Sequence, residues 1–258
     1  MPLPRIRLVT RGDDSGSCRA ANRAVRDAFK EGILRNASVM VPGPVFDEAA
    51  AMLKDLKGLC IGLHGTVTDE WHQPRWGPVL GREKAPSLVM DDGSFFKDTG
   101  ALAKHKPNLD EILAELKAQL ERARAKGLDV RYMDEHMGFD WFEGLPVRLA
   151  AFAKAEGLIY RPKGLTPLAD VKGEFADPVE RFIARLDAAE PGKTYLVVVH
   201  PAYDDAEMRA MCYGDEKPGK IARKRDWDRR LYTEPRILEY CKQHEVEPIR
   251  FTDLAAGG

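Results

Sequence analysis

Acidic residues and histidines directly follow several short apolar runs of the sequence. Asp13 and Asp14 follow the first run, and His64 follows the third. His136 and His200 come after two later runs. Two histidines with one carboxylate suit a borderline divalent cation and leave a coordination position for water. Because such a cation lowers the pKa of bound water towards about 7 and polarises a carbonyl, the pattern indicates metal-dependent hydrolysis, with zinc or magnesium as cofactor.

These residues could divide the chemistry among them. Asp13 and Asp14 offer one carboxylate to ligate the cation and one to act as general base. His200 is a candidate to protonate a leaving group or to hold an oxyanion, or alternatively only orients the loop before Pro201. Asp134 is a candidate to orient a histidine ligand through its second ring nitrogen, or alternatively caps a turn. Since each residue alone is usually structural, the prediction depends on their joint placement.

Four further side chains are candidates for substrate contacts. Trp71, Trp141 and Tyr203 fall in segments expected at the rim of the site, where aromatic rings could stack on a substrate. Arg161 ends the fifth predicted strand and is a candidate to bind a polar substrate group. Core packing of the aromatic rings and simple exposure of the arginine are the alternatives.

Strand patterns alternate with helix patterns along the chain. We predict strands over residues 6–10, 36–41, 58–63, 130–134, 158–161, 194–199 and 247–251, with a loop over 11–16. Helices are predicted over 18–31, 45–56, 108–126, 145–156, 178–188 and 234–244. This alternation is typical of a parallel sheet with right-handed crossovers. We expect an α/β fold, an irregular (β/α) TIM-like barrel of about seven parallel strands, with a doubly wound sheet as the alternative. In either fold the carboxyl ends of the strands, and hence the candidate residues, meet at one edge.

Two segments stand outside this alternation. Residues 66–107 are rich in proline, glycine and tryptophan and too long for a simple connection, which is typical of a lid or binding loop. Residues 217–230 are strongly basic, which is typical of a solvated face or a mobile loop. We treat residues 1–258 as a single catalytic domain with a long loop insertion at about 66–107.

The composition excludes several function classes. Forty basic and forty-one acidic residues give a formal net charge of −1, unlike the basic surface of nucleic-acid-binding proteins. No apolar run approaches the roughly 20 residues of a membrane helix. The start of the chain lacks a signal-peptide pattern, and the four cysteines form no C-x-x-C pair. We therefore expect a cytoplasmic enzyme without a nucleic-acid or membrane partner, and leave a homodimer open as its assembly.

Several motifs together resemble one protein family. They are Arg11-Gly-Asp-Asp-Ser-Gly16, Asn22-Arg-Ala-Val25, Asn36-Ala-Ser-Val-Met-Val41, Ile61-Gly-Leu-His64, Thr66-Val-Thr68, Pro86-Ser-Leu-Val89, Asp134-Glu-His136 and His200-Pro201. In order and spacing they resemble the YdjC-like carbohydrate deacetylases, also called the ChbG family, over nearly the whole chain. Two positions depart from the family pattern: Ser15 replaces a phenylalanine, and Met137-Gly-Phe139 replaces further histidines.

The resemblance implies an irregular TIM-type barrel that removes N-acetyl groups from amino sugars or chito-oligosaccharides. It implies Asp14, His64 and His136 as metal ligands and Asp13 as the base. The expected partner is therefore a small acetylated sugar. Two alternatives are another metallohydrolase chemistry, such as phosphoester cleavage, and a non-catalytic carbohydrate-binding relative. The departure after His136 motivates the second alternative, and the basic segment 217–230 motivates the first.

Overall fold

Parallel strands form one curved sheet that shapes the molecule. The computed structural model describes residues 5–257, and the strands in this range are β1 Ile6–Ser15, β2 Asn36–Val39, β3 Cys60–Gly65, β4 Val130–Glu135, β5 Leu165–Pro167, β6 Thr194–Val199 and β7 Val246–Ile249. Their order is β4-β3-β2-β1-β6-β5, and β7 pairs with the first half of β1. The sheet curls into a half-barrel, which confirms the predicted α/β barrel-like fold with parallel strands.

Helices cover the outside of the curved sheet. Within the described residues they are α1 Arg19–Glu31, α2 Phe46–Leu53, α3 Thr99–Lys104, α4 Leu109–Ala125, α5 Leu145–Ala155, α6 Pro178–Asp187, α7 Ala206–Ala210, α8 Lys220–Thr233 and α9 Pro235–Gln243. The main core lies between these helices and the sheet. A second small cluster of Val9, Cys60, Tyr132, Ile249 and Phe251 joins side chains from β1, β3, β4 and β7 with the segment that follows β7.

β1 extends to Ser15, so the predicted loop over residues 11–16 is wrong. A regular strand would point Asp13 and Asp14 to opposite faces. The pairing of β1 with β2 shifts register between Gly12 and Ser15, and Asp14 has a φ of 69°. Such irregularities re-aim side chains near active sites. Here both carboxylates are buried and lie close to the same histidine of β3.

The predicted fifth strand over residues 158–161 is wrong. Ile159 makes a single parallel bridge to β4, and the fifth strand is Leu165–Pro167, which pairs with β6. Arg161 has a φ of 47° and Pro162 follows it, so the chain turns before a ladder can form. The gap between β4 and β5 leaves the barrel open on this side.

The basic segment 217–230 contributes most of a helix, α8, rather than a mobile loop. Its apolar positions, Ile221 and Ala222 among them, are few, but they are buried against the rest of the molecule. At the start of α1, Cys18 occupies the N-cap position, and its Sγ accepts the N–H of Ala21 at 3.4 Å. The hydroxyl of the preceding Ser17 donates to the carbonyl of Asp14.

The long segment 66–107 is folded tightly onto α4. Both oxygens of the buried Glu115 accept backbone N–H groups of this segment, from Val79 at 2.8 Å and Leu80 at 3.0 Å. Gln119, one turn further along α4, exchanges hydrogen bonds with the backbone of Thr66. The segment therefore has fixed geometry, although it contains only the short helix α3, a 3₁₀ turn at Pro86–Leu88 and isolated bridges.

Candidate metal centre

Three buried side chains converge at the carboxyl end of the sheet. The Nε2 of His64 lies 3.4 Å from the Oδ1 of Asp14 and 3.3 Å from the Nδ1 of His136. The Oδ1 of Asp14 lies 3.6 Å from the same Nδ1. Ligands about 2.0–2.1 Å from a tetrahedral centre are roughly 3.3–3.4 Å apart, so these atoms fit a divalent cation such as zinc. Oδ1 of Asp14 also accepts no well-formed hydrogen bond from the described residues, a cost that a cation would relieve.

His64 is held from its other ring nitrogen. Its Nδ1 lies 2.7 Å from Oδ1 of Asp134, the residue directly beside it in the pairing of β3 with β4. The second oxygen of Asp134 accepts the hydroxyl of Ser38 at 2.9 Å and pairs with Arg11 at 2.5 Å. Of the two roles the sequence left open for Asp134, orienting a histidine or capping a turn, the contact with His64 has the geometry of the first.

His136 follows β4 in a tight turn in which Met137 and Gly138 both have positive φ. The Nε2 of His136 faces Oε2 of Glu70 at 2.9 Å. Glu70 lies on the long segment after β3 and was not among the residues singled out from the sequence. A lone glutamate in an irregular segment carries no local signal, because its partner is 66 positions away in the chain.

Arg225 on α8 is a second residue that the sequence did not single out. Its guanidinium pairs with Oδ2 of Asp14 at 2.7 Å and lies 5.1 Å above the ring of Trp71. Both Arg225 and Asp14 are buried. In the sequence Arg225 is one charge of the basic segment 217–230, and nothing in the local pattern distinguishes it from its exposed neighbours Arg223 and Lys224.

The charges around the cluster set the pKa values of its members. Burial opposes ionisation of Asp14, but Arg225 and the two histidines lower the pKa of its carboxyl well below the usual range. Burial likewise opposes the charged form of His136, yet Glu70 and Asp14 raise its pKa to about 9. For His64, the neighbouring carboxylates, Asp134 foremost, outweigh burial and raise its pKa well above the usual range. A cation at this centre would therefore displace protons from the histidines.

Asp13 lies beside the cluster without touching Arg225. Arg11 holds it with two hydrogen bonds, from Nε and Nη2 to its two oxygens, each at 2.8 Å. One carboxylate oxygen of Asp13 lies within 4.8 Å of a ring nitrogen of His64. Asp13 is thus close to His64, one of the three candidate ligands, and the guanidinium of Arg11 that holds it also contacts Asp134.

Two of the three converging side chains, those of Asp14 and His136, line a cavity of about 440 Å³. Its lining consists of Asp14, Glu70, His136, Met137, His200, Tyr213, Glu216, Lys220, Ile221, Lys224, Arg225 and Asp228. His200 therefore shares this cavity with two of the candidate ligands. Its backbone N–H donates to Oδ2 of Asp228 at 3.1 Å, which fixes the start of the loop after β6.

The aromatic residues expected at the rim fall into different places. Trp71 is fully buried, so its expected position on a rim loop is wrong; its ring packs edge-on against Tyr213, with 5.5 Å between centroids. Trp141 is 57% exposed and its indole N–H donates to the carbonyl of Gly138, but it is not part of the cavity lining. Among the exposed large apolar side chains, Met137 and Tyr213 do line the cavity.

Tyr203 and Arg161 lie outside the main cavity. The hydroxyl of Tyr203 donates to Asp27 at 2.7 Å, and the guanidinium of Arg229 lies 4.5 Å from its ring, so the side chain joins α1 to α8. Arg161 pairs with Asp140 at 2.6 Å and lines a second cavity of about 430 Å³, which also reaches Arg11. These two residues are not brought together with the three converging atoms.

Within residues 5–257, no helix combines the length and the apolar character needed to cross a membrane.

The family model that matches this chain and the similar proteins of known name agree with each other. The model of the family described as YdjC-like protein matches residues 7–243. A protein from Geobacillus stearothermophilus named carbohydrate deacetylase is 30% identical, over 98% of this chain and 99% of its own length. A carbohydrate deacetylase from Listeria monocytogenes serotype 4a is 26% identical, over 96% of this chain and 100% of its own length.

A solved structure shares the fold. The crystal structure of a candidate cellobiose-phosphate cleavage protein from Enterococcus faecalis V583 superposes with a TM-score of 0.78 at 21% identity. The match covers 96% of this chain and 98% of that protein. The arrangement of strands and helices described above is therefore that of a known fold.

Proposed function

Because this chain belongs to the YdjC-like protein family, we propose that it is a carbohydrate deacetylase that uses a divalent metal ion. Its substrate would be an N-acetylated amino sugar or chito-oligosaccharide, and its products acetate and the free amine. The observation that carries this proposal is the triangle of Asp14, His64 and His136 atoms beside an open cavity. The names of the two similar proteins support the choice of acyl group and substrate class.

Asp14, His64 and His136 would hold the metal ion, most readily zinc or magnesium. A bound cation of this kind supplies Lewis acidity, which polarises an acyl oxygen and acidifies water. Asp134 and Arg225 hold two of the three ligands in place from outside the triangle, through His64 and Asp14 respectively. Such outer contacts commonly decide how strongly a site retains its metal.

Asp13 is proposed to accept the proton of the attacking water. Arg11 grips both of its oxygens and so fixes the direction in which the carboxylate faces. His200, across the cavity, is proposed to donate a proton to the nitrogen as the C–N bond breaks, so that the amine departs neutral. Water thereby adds to the acyl carbon, and the two proton transfers balance the products.

The sugar is proposed to lie against Met137 and Tyr213, two exposed large apolar side chains of the cavity wall. Apolar and aromatic surfaces suit the C–H faces of pyranose rings. Trp141, which is exposed and outside the cavity lining, is proposed to contact only substrates of more than one sugar unit. Arg161 faces a different cavity and Tyr203 is engaged by Asp27, so neither has a place in this arrangement.

Phosphoester hydrolysis is the second candidate function, and one observation favours it. Lys220 and Lys224 line the cavity beside the candidate centre, where their positive charges could bind a phosphate group. Glu216 and Asp228 line the same cavity and offset these charges. Inorganic phosphate release from sugar phosphates, measured beside acetate release from the acetylated sugars, distinguishes the two reactions.

The proposed base is tested with Asp13→Asn, and Asp129→Asn is the control because Asp129 is exposed. We expect Asp13→Asn to bind zinc as the unmodified protein does and to lose acetate release by about 10²–10⁴-fold, the usual contribution of a general base. Asp129→Asn should leave both quantities unchanged. Full activity of Asp13→Asn would remove Asp13 as the base.

A further inference from the structure

Glu70 contacts the candidate centre from a segment that supplies none of its three ligands. Its Oε2 lies 2.9 Å from the Nε2 of His136, and its side chain is 10% exposed. The other nitrogen of the same ring, Nδ1, faces His64 and Asp14. Glu70 therefore lies on the far side of the His136 ring from the point where the three candidate ligand atoms converge.

This placement selects one form of the histidine ring. A carboxylate accepts hydrogen bonds and does not donate them, so the proton of a neutral His136 belongs on Nε2. The lone pair is then on Nδ1, where a cation would need it. Asp134 makes the equivalent contact with His64, with the two ring nitrogens exchanged: its carboxylate faces Nδ1 and leaves Nε2 towards the centre. Both histidines are thus oriented by a carboxylate behind them.

The backbone around Glu70 is fixed by several contacts. The N–H of Asp69 donates to the carbonyl of Phe96, and the buried carboxylate of Asp69 accepts the N–H of Trp76. The carbonyl of Trp71 accepts hydrogen bonds from Arg75 and from Lys97. Glu70 therefore projects from a rigid stretch of chain. A residue that orients a metal ligand within a narrow angle must itself be fixed in this way.

We propose that Glu70 is a positioning residue that holds His136 in the tautomer and ring orientation required for metal binding. The proposal rests on the metal site of the proposed function and does not depend on which acyl group or sugar is processed. It also assigns a task to the segment 66–107: the adjacent residue, Trp71, packs on Arg225, which pairs with Asp14. One dipeptide thereby supports two of the three ligands.

The experiment compares Glu70→Ala and Glu70→Gln with the unmodified protein, using Glu83→Gln as control because Glu83 is an exposed glutamate of the same segment. The dissociation constant for zinc is measured by competition with a chromophoric chelator. The visible absorption of the cobalt-loaded protein reports the ligand set, and thermal unfolding of the metal-free protein reports folding. No substrate enters any of these measurements.

We expect Glu70→Ala to weaken zinc binding by about 10–100-fold, the usual effect of removing such a contact. Glu70→Gln should weaken it less, because the amide oxygen can still accept the Nε2 proton, and Glu83→Gln should not change it. The cobalt bands should keep their positions, since the three ligands stay the same. If Glu70→Ala fails to fold, Glu70→Gln carries the comparison.

Equal zinc affinity in unmodified protein and Glu70→Ala would overturn the proposal. A cobalt spectrum that changes in Glu70→Gln would also overturn it, because Glu70 would then be a ligand itself. If the unmodified protein binds neither zinc nor cobalt, the metal site of the proposed function fails, and the positioning role fails with it. Metal binding without acetate release, in contrast, would contradict only the proposed reaction.

Discussion

Buried charges dominate the chemistry of this molecule at the scale of single residues. Asp13, Asp14 and Asp134 are all at least nine-tenths buried, and each faces a guanidinium: Arg11 for the first and third, Arg225 for the second. A buried carboxylate without a partner is strongly unfavourable, so each of these carboxylates depends on its ion pair with an arginine. The pairing keeps a dense group of carboxylates in place beside two histidines.

Replacing Arg225 should reveal this dependence. Arg225→Met keeps an unbranched apolar stem against Trp71 but removes the guanidinium that pairs with the buried carboxylate of Asp14. We expect the free energy of unfolding of the metal-free protein to fall by about 3–5 kcal/mol. Added zinc should restore part of the loss, because a cation beside Asp14 replaces the missing charge. Urea unfolding with and without zinc measures both effects.

Arg223→Met is the matched control, since Arg223 is an exposed residue of the same helix. It should change the free energy of unfolding by less than about 0.5 kcal/mol, as surface substitutions usually do. If Arg225→Met in its metal-free form were as stable as Arg223→Met, the pair with Asp14 would contribute nothing, and the argument from buried charge would be wrong.

Glu70 and Arg225 also mark the limit of sequence reasoning at this scale. The histidines and the Asp13-Asp14 pair could be found because they follow apolar runs, and strand ends share one edge of a parallel sheet. Glu70 and Arg225 reach the centre from a long irregular segment and from a helix. Their partners are set by tertiary packing, which no local spacing encodes.

At the scale of elements, the contact between α4 and the segment 66–107 determines where Glu70 and Trp71 stand. Glu115 is fully buried on α4, and its two oxygens accept the N–H groups of Val79 and Leu80. Gln119 also donates to it at 2.8 Å. In a sheet, a neighbouring strand would accept the hydrogen bonds of these backbone N–H groups. Here the side chain of a helix residue accepts them instead, because the segment is irregular.

Glu115→Gln should loosen this contact. The amide of glutamine has one accepting oxygen, so one of the two backbone N–H groups would face an NH₂ donor instead. We expect a loss of about 1–3 kcal/mol in the free energy of unfolding, the cost of an unsatisfied buried donor. Amide hydrogen exchange should also become faster at Val79 and Leu80 than in the unmodified protein.

Glu121→Gln serves as the control, because Glu121 is on the same helix and 63% exposed. It should leave both the unfolding free energy and the exchange rates nearly unchanged. Unaltered exchange at Val79 and Leu80 in Glu115→Gln would show that α4 does not anchor the segment.

Element types were more predictable than their ends. The apolar runs of β2, β3, β4 and β6 identified these strands, since buried parallel strands are almost continuously apolar. β1 ran on past its apolar run because a register shift allowed charged residues to remain in the strand. α8 was missed because its few buried positions are hidden among charges, and the fifth strand was misplaced because Arg161 turns the chain.

At the scale of the whole molecule, the fold brings distant segments to one edge. The three candidate ligands come from β1, from β3 and from the turn after β4, while His200 follows β6. The order β4-β3-β2-β1-β6 places these strand ends around one mouth of the half-barrel. The cavity above them is wide enough for a small sugar, because pockets for such ligands begin at about 300 Å³.

Metal-dependent acetate release tests the central claim most directly. Acetate is measured from N-acetylglucosamine and short chito-oligosaccharides with metal-stripped protein and with protein reloaded with zinc, magnesium, manganese or cobalt. His64→Ala, treated in the same way, removes one proposed ligand. We predict release only from the reloaded unmodified protein, with at least one of these metals. Equal release from stripped protein, or none from protein that demonstrably holds the metal, would contradict the account.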